Sequence, residues 1–292
     1  MQDKVCAVVV TYNPAPDKLS RLIERLRPQV QDIVVVDNGS EKPVNCGDSF
    51  IQNETNVGLA TALNQGISHA RKIGSSHTAT FDQDSLPSPT MISDLLDDLR
   101  EFESKGTRAA VIGPTLYDER GGSQKMPFIR FGFPKNLAVE QAQGPVECDF
   151  LITSGSLTSI KTALTVGPMM DNLFIDYIDT EWCFRAKHCG FAVIGSNKAT
   201  MVHELGERMI PLLWLNRIVP DHSSSRLYYI MRNKLILYRL KHTPARWIAQ
   251  DLIHIPLLFA IFAFFVPNRR ANISFMVRGM VDGLFGRSGA RP

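Results

Sequence analysis

Three short polar clusters each end an apolar run early in the chain. Thr11-Tyr12 follows Val5 to Val10, Asp37-Asn38 follows Ile33 to Val36, and Asp82-Gln83-Asp84 follows Thr78 to Phe81. Taken singly, an Asp at a strand end is a turn former or a helix cap. Together the clusters mean more, because ligands of open α/β sheets bind beyond the carboxyl ends of the strands. Asp82 and Asp84, two residues apart, can share a divalent cation, one directly and one through water or a ribose hydroxyl. Mg²⁺ and Mn²⁺ favour such oxygen ligands and take phosphate oxygens as others. A diphosphate leaving group needs that ion, since negative charge grows on it as its bond breaks. No GxGxxG follows the first apolar run and no GxxxxGK[ST] occurs, which argues against a dinucleotide fold and a P-loop.

The elements that must position these residues read as a βαβαβ series. Continuous apolar runs suit strands buried on both faces. Asp17 to Leu26 carries helix periodicity through Leu19, Leu22, Ile23 and Leu26. Ile51 begins a weaker strand, Leu59 to Ala70 a helix, and Thr90 to Phe102 another helix behind Pro87 and Pro89. The pattern predicts a doubly wound sheet with flanking helices. The second half is more mixed. Ala109 to Gly113, Cys148 to Gly155, Ala192 to Ile194 and Ala199 to Val202 are strand-like. Ser159 to Val166, Thr180 to Cys189 and Arg226 to Leu240 are helical. Residues 118–147 read as an irregular excursion and residues 204–225 as a mobile loop.

Length and composition fit one large α/β domain or two fused halves, with 44% hydrophobic residues across 292 positions. The net charge of +3 is unevenly spread: from Arg226 onward there are 11 Lys and Arg against 2 Asp and Glu, leaving 21 against 27 before it. A basic, apolar tail on an acidic body points to an anionic phospholipid surface. No nucleic-acid motif accompanies the charge. Five cysteines without a CxxC pair suggest neither a disulfide framework nor a zinc site, in keeping with a reducing cytosol. The chain starts directly into a strand pattern, with no signal peptide. Leu252 to Val266 is almost wholly apolar, with Arg246, Trp247, Arg269 and Arg270 around it. A buried core helix, an interfacial helix and a span are the alternatives; the bracketing anchors favour the interfacial one.

The ordered set Val10-Thr11-Tyr12-Asn13, Val36-Asp37-Asn38-Gly39-Ser40, Asn56-x-Gly58-x-Ala60-x-Ala62-x-Asn64-x-Gly66 and Asp82-x-Asp84 resembles glycosyltransferase family 2, the inverting GT-A fold, over roughly residues 5–240. The resemblance implies a mixed α/β sheet in which residues 1–105 bind nucleotide sugar and residues 106–240 bind acceptor. Residues 241–292 would then form an apolar, basic, membrane-associating helical tail. It implies that Asp37 binds the pyrimidine N–H, Thr11 and Tyr12 line the base, and Asn56, Gly58 and Asn64 lie against nucleotide. Asp82 and Asp84 would meet ribose, diphosphate and a divalent metal, Mg²⁺ or Mn²⁺. In the second half, Asp179 matches the family's catalytic base and Asp176 is the second candidate, although Ile178 departs from the usual acidic pattern. Helix N-capping is the alternative role for Asp179.

His203 matches a family histidine that touches metal or diphosphate, against the ordinary structural role of a lone His. Arg226 and Arg232 do not share one helix face, and either would stabilise diphosphate when the 204–225 loop closes; ordinary surface charge is their alternative. Phe81-Asp82-Gln83-Asp84-Ser85, Phe150 to Gly155, Phe174-Ile175-Asp176 and Arg226 to Asn233 are similar to bacterial rhamnosyltransferases that use dTDP-L-rhamnose. The implied reaction is inverting transfer of L-rhamnose to a hydroxyl of a lipopolysaccharide-type glycan or glycolipid. It would take place at the inner face of the cytoplasmic membrane, without nucleic acid. Transfer from a UDP-hexose, rhamnolipid-type transfer, and a non-catalytic nucleotide- or glycan-binding module are the alternatives. The retained carboxylates weigh against the last.

Overall fold

The computed structural model describes residues 3–118, 124–133, 135–139, 144–203, 209–212, 217–220 and 222–291. The first half contains strand β1 (Val5–Thr11), helix α1 (Pro16–Leu26), β2 (Asp32–Asp37), β3 (Ser49–Gln52), α2 (Leu59–Lys72), β4 (His77–Asp82), the two-residue β5 (Leu86–Pro87) and α3 (Met91–Glu103). Strands β3, β2, β1 and β4 lie side by side and parallel. Their register sets Thr11 beside Asp37 and Val10 beside Asp82. The three polar clusters therefore end at one level of the sheet.

Alternation along β1 requires helices on both faces. Val5, Ala7 and Val9 pack with Leu19, Leu22 and Leu26 of α1 and with Met91, Ile92 and Leu95 of α3. Cys6, Val8 and Val10 pack with Ala60, Ala62 and Leu63 of α2. An 11-residue helix such as α1 is marginal alone in water. Burying a leucine contributes roughly 1.5–3 kcal/mol, so its three fully buried leucines supply the reason it forms.

The second half adds β6 (Ala109–Asp118), β7 (Gln124–Lys125), β8 (Phe128–Arg130), β9 (Leu137–Val139), β10 (Val146–Cys148), β11 (Leu157–Ser159), α4 (Ile160–Val166), a 3₁₀ turn at Asp171–Leu173, α5 (Ile178–His188) and β12 (Ala192–Val202). The main sheet runs β10-β12-β6-β11-β4-β1-β2-β3. Because β11 is antiparallel to both β4 and β6, the sheet is mixed, as the resemblance implies. The two strands read at 192–194 and 199–202 are one strand with a register shift between Gly195 and Thr200. Part of the 118–147 excursion is ordered as the small β8–β9 sheet. Within 204–225, β13 (Met209–Leu212) and β14 (Arg217–Pro220) form an antiparallel hairpin and residues 224 and 225 open the next helix. Residues 204–208, 213–216 and 221 lie outside the described residues, and the expected closure of this segment with them.

Three helices complete the chain: α6 (Ser224–Leu237), α7 (Ala245–Phe264) and α8 (Arg269–Leu284). The apolar stretch read at 252–266 lies mostly within α7, and α8 was not anticipated. Residues 241–292 are no loose tail, because α8 packs closely along α6. A Cβ on Gly279 would stand 2.3 Å from the carbonyl oxygen of Tyr228, and one on Gly283 2.8 Å from that of Arg232. Leu227, Ile230 and Met231 of α6 share a core with Phe262 of α7 and Met276 of α8.

Candidate active site

A pocket of about 760 Å³ opens where β1, β2 and β4 end. Its first-half wall presents Thr11, Tyr12, Asn56, Asp82 and Asp84. Its second-half wall presents Asp176, Asp179, His203 and Arg226. Two halves distant in sequence thus bring nine of the thirteen expected residues to one cavity.

Tyr12 is half exposed, and its backbone is pinned by the Gln83 side chain. Gln83 Oε1 accepts from Tyr12 N at 2.7 Å and Gln83 Nε2 donates to Tyr12 O at 3.3 Å. The central residue of the Asp82-Gln83-Asp84 cluster thereby joins the β4 rim to the β1 rim. With its backbone fixed, the half-exposed ring offers a face to a flat ligand.

Asp82 Oδ2 lies 3.9 Å from His203 Nε2. His203 is buried, with Nδ1 3.3 Å from the Ser85 hydroxyl, and its backbone N donates to Tyr117 O at 3.0 Å. The Asp82 side chain is 38% exposed into the pocket, yet the protein around it removes enough water to raise its pKa. Loss of hydration is the main cause and Asp84 adds to it, while His203 and Arg226 oppose it. A carboxylate short of hydration, a second carboxylate and one imidazole suit a hard divalent ion. Among the described residues no three such groups stand close enough to be a ready cage. An ion held here would complete its shell with ligand oxygens, as a diphosphate provides.

Across the pocket, Asp179 occupies the first turn of α5. Its Oδ1 accepts from its neighbour's backbone, Thr180 N, at 2.7 Å and from Thr180 Oγ1 at 3.3 Å. Its pKa is raised to about 6. Desolvation dominates, the Thr180 backbone hydrogen bond opposes it, and the Asp176 charge adds to it. A second cavity, of about 210 Å³, lies behind Asp179 and shares Ile152 and Thr153 with the pocket. Leu151, Met169 and Trp182 give it an apolar wall. A carboxyl titrating near neutral pH suits a proton acceptor.

Asp176 is committed to Arg226. The guanidinium donates to the carboxylate through Nε at 3.0 and 3.3 Å and through Nη2 at 2.9 Å. Phe174, Asp176 and Tyr177 have φ of 66°, 62° and 65°. For non-glycine residues each such conformation costs on the order of 1–2 kcal/mol, so the surroundings must hold it. Gly58 is part of that support. Its φ is 90°, and a Cβ there would stand 2.7 Å from the Phe174 ring. The next residue, Leu59, donates its N–H to Phe174 O at 2.7 Å.

Four of the expected nucleotide contacts do not line the pocket. Asp37 is fully buried behind the rim, with its oxygens taken by Thr11 Oγ1 at 2.9 Å, Ser40 N at 2.9 Å and Ser40 Oγ at 2.6 Å. Its neighbour Asn38 lines the pocket instead. Asn38 Nδ2 donates to Asn56 Oδ1 at 3.0 Å, and its Oδ1 accepts from Val57 N at 3.0 Å. Adjacent residues at a strand end face opposite ways, and only the register shows which one faces the ligand. Gly58 lies behind Phe174 rather than on the wall. Asn64 pairs with the backbone of Met169 at 2.9 and 3.0 Å and lines the smaller cavity. Arg232 is 1% exposed, lies outside the pocket lining and donates to the backbone carbonyls of Asn172 and Leu173. Asn38, read only as part of the Asp37-Asn38 cluster, and Asn233, read only within the Arg226 to Asn233 match, had no site role of their own in the sequence reading. For Asn233 a signal existed, since Arg232-Asn233 follows Ile230-Met231 and a buried polar pair must have partners.

A mixed α/β sheet with an acidic rim and a facing carboxylate defines a GT-A glycosyltransferase. Solved structures share the fold. GalNAc-T7 with UDP, GalNAc and Mn²⁺ superposes with a TM-score of 0.61 at 12% identity, over 97% of this chain but 56% of that one. Residues 1–349 of S. aureus TarS in complex with UDP-GlcNAc superpose with a TM-score of 0.60 at 14% identity, over 97% and 81% of the two chains. The chain belongs to glycosyl transferase family 2, whose profile matches residues 6–152. It is 31% identical to the dTDP-rhamnosyl transferase RfbF of Shigella flexneri, across 99% of this chain and 98% of that one.

Proposed function

We propose that this glycosyltransferase moves L-rhamnose from dTDP-L-rhamnose to a hydroxyl of a cell-surface glycan or glycolipid acceptor, inverting the anomeric centre. The end-to-end similarity to a dTDP-rhamnosyl transferase supports the donor. The observation that carries the chemistry is the placement of Asp179, with its raised pKa, in the pocket that also holds Asp82 and Asp84. In this reading Asp179 takes the acceptor's hydroxyl proton as that oxygen bonds to the anomeric carbon. The bond from that carbon to the diphosphate oxygen breaks on the opposite face, so no covalent enzyme intermediate forms. Tyr12 and Asn38 receive the base. Asp82, Asp84 and His203 would hold a divalent metal, which supplies charge stabilisation to the leaving diphosphate. Arg226, oriented by Asp176, adds a cation on the second-half side. Residues 1–105 serve the donor and residues 106–240 the acceptor.

The enzyme works in the cytoplasm at the inner membrane surface. Among the described helices, Ala245–Phe264 is the one long and apolar enough to span, and a third of its apolar window is buried. Pro256 lies inside it, and Trp247, Gln250, Ile261 and Phe262 are buried against the body. Leu252, Ile253 and Phe264 on α7, and Val277, Leu284 and Phe285 on or beside α8, are exposed, as are Arg269 and Arg270 at the start of α8. An apolar face with a basic border suits an in-plane position on anionic phospholipid.

A donor panel reading nucleotide release, with Mn²⁺ and extracted membrane lipid, tests the proposal. Activity with dTDP-L-rhamnose, and a rhamnosylated product by mass spectrometry, is the expected result. Turnover with a UDP-hexose alone would overturn the donor assignment.

A further inference from the structure

We propose that Arg232 and Asn233 are positioning residues for transfer, holding the 172–177 segment so that Asp179 faces the reacting carbon. This rests on the reading of Asp179 as the base. Beyond the 3₁₀ turn and the Ile175 N–H that donates to Leu173 O, the carbonyls of this segment take their donors from elsewhere. Arg232 Nη2 donates to Leu173 O at 2.9 Å and to Asn172 O at 3.4 Å. Asn233 Nδ2 donates to Leu173 O at 3.0 Å, Ile175 O at 2.7 Å and Asp176 O at 3.0 Å. The remaining carbonyl before Tyr177, that of Phe174, takes the N–H of Leu59. Five successive carbonyls thus have donors from distant elements, and one amide side chain serves three of them.

This segment carries three non-glycine residues at positive φ and ends at Tyr177, directly before α5. Its shape therefore decides where the first turn of α5 points. The two clamping side chains are themselves fixed. Arg232 Nε donates to Asn233 Oδ1 at 3.0 Å, and its guanidinium lies over the Tyr228 and Tyr229 rings. Its Nη1 donates to Gly289 O, while Gly289 N donates to Asn172 O at 2.6 Å. The end of the chain thereby closes the clamp on the same segment. A donor-binding role for either residue is excluded by their burial outside the pocket.

The test compares the wild type, full-length Asn233→Asp and a chain ending at Arg287. The first replaces the amide donor that serves three carbonyls with an acceptor. The second removes Gly289 beyond α8 and leaves the core untouched. An ångström of misplacement at a reacting group costs about 100-fold, so kcat of Asn233→Asp is expected to fall by about that factor, with dTDP affinity within twofold of wild type. The shorter chain should lose about tenfold. In the shorter chain, which adds no charge, the acid limb of kcat should move below the wild-type limb, because a displaced Asp179 regains water; the limb is read there, since a carboxylate at 233 pushes the Asp179 pKa the other way. The titratable groups facing Asp179 are Asp176, Tyr177 and Cys183, and none of them is altered. Thermal unfolding reports the folded fraction. Loss of rate only in proportion to that fraction, or an unmoved acid limb, would overturn the proposal. Should Asn233→Asp fail to fold, the shorter chain decides alone by the same readouts. Wild-type turnover surviving in Asp179→Asn would instead sink the base assignment and leave the clamp as architecture.

Discussion

The two walls of the pocket are built differently. The first-half wall is the end of a parallel sheet, where strand register delivers Thr11, Asn38 and Asp82 to one level. Its turns satisfy themselves locally, as Asp37 does with Ser40 and Thr11. The second-half wall is an irregular segment with three residues at positive φ, braced by α2, α6 and Gly289. A wall made of strand ends is rigid at little cost and suits an invariant task, gripping a nucleotide. A strained wall needs support from afar, and its geometry can be changed without touching the sheet.

If this contrast is right, damage to each wall has its own signature. The largest effect is expected from Asp179→Asn, which should lower kcat on the order of 1,000-fold while leaving dTDP affinity near wild type in a titration. Asp84→Asn attacks the other wall. It should cost about 100-fold and raise the Mn²⁺ concentration needed for half-maximal rate, which Asp179→Asn should not do. Equal metal dependence in the two variants would break the distinction.

The pH profile sharpens it further. Asp179 must be ionised to take a proton, and burial holds its pKa at about 6. Turnover should therefore rise as pH increases through about 6, and single-turnover rates from pH 5 to 8 should show that limb. Replacing exposed Leu284 and Phe285 with Glu should weaken partition onto anionic phospholipid vesicles about tenfold, with kcat on a water-soluble acceptor unchanged. The smallest effect is on stability. Because the folded state binds the Asp179 proton more tightly than the unfolded chain, the native protein loses stability as pH rises from the ordinary carboxylate range through about 6. Asp179→Asn should recover on the order of 1 kcal/mol at pH 7.5, and almost nothing at pH 4, in denaturant melts.

The sequence alone determined the sheet's central strands, their order of use and the acidic rim. Apolar runs, turn residues and the Asp82-Gln83-Asp84 spacing are local signals, and parallel strand ends convert them into one place in space. Asp179 was legible for a different reason, through the similarity of its neighbourhood to a family. Only the tertiary structure decided between Asp37 and Asn38, since the face a strand-end residue presents depends on register with β1. It also moved Arg232 from the ligand to the protein's interior and gave Asn233 its three carbonyls. Those assignments depend on α6 and on residues near the end of the chain lying against residues some 60 positions earlier or later. No local pattern encodes that proximity; packing of α8 onto α6, through glycines small enough to allow it, creates it.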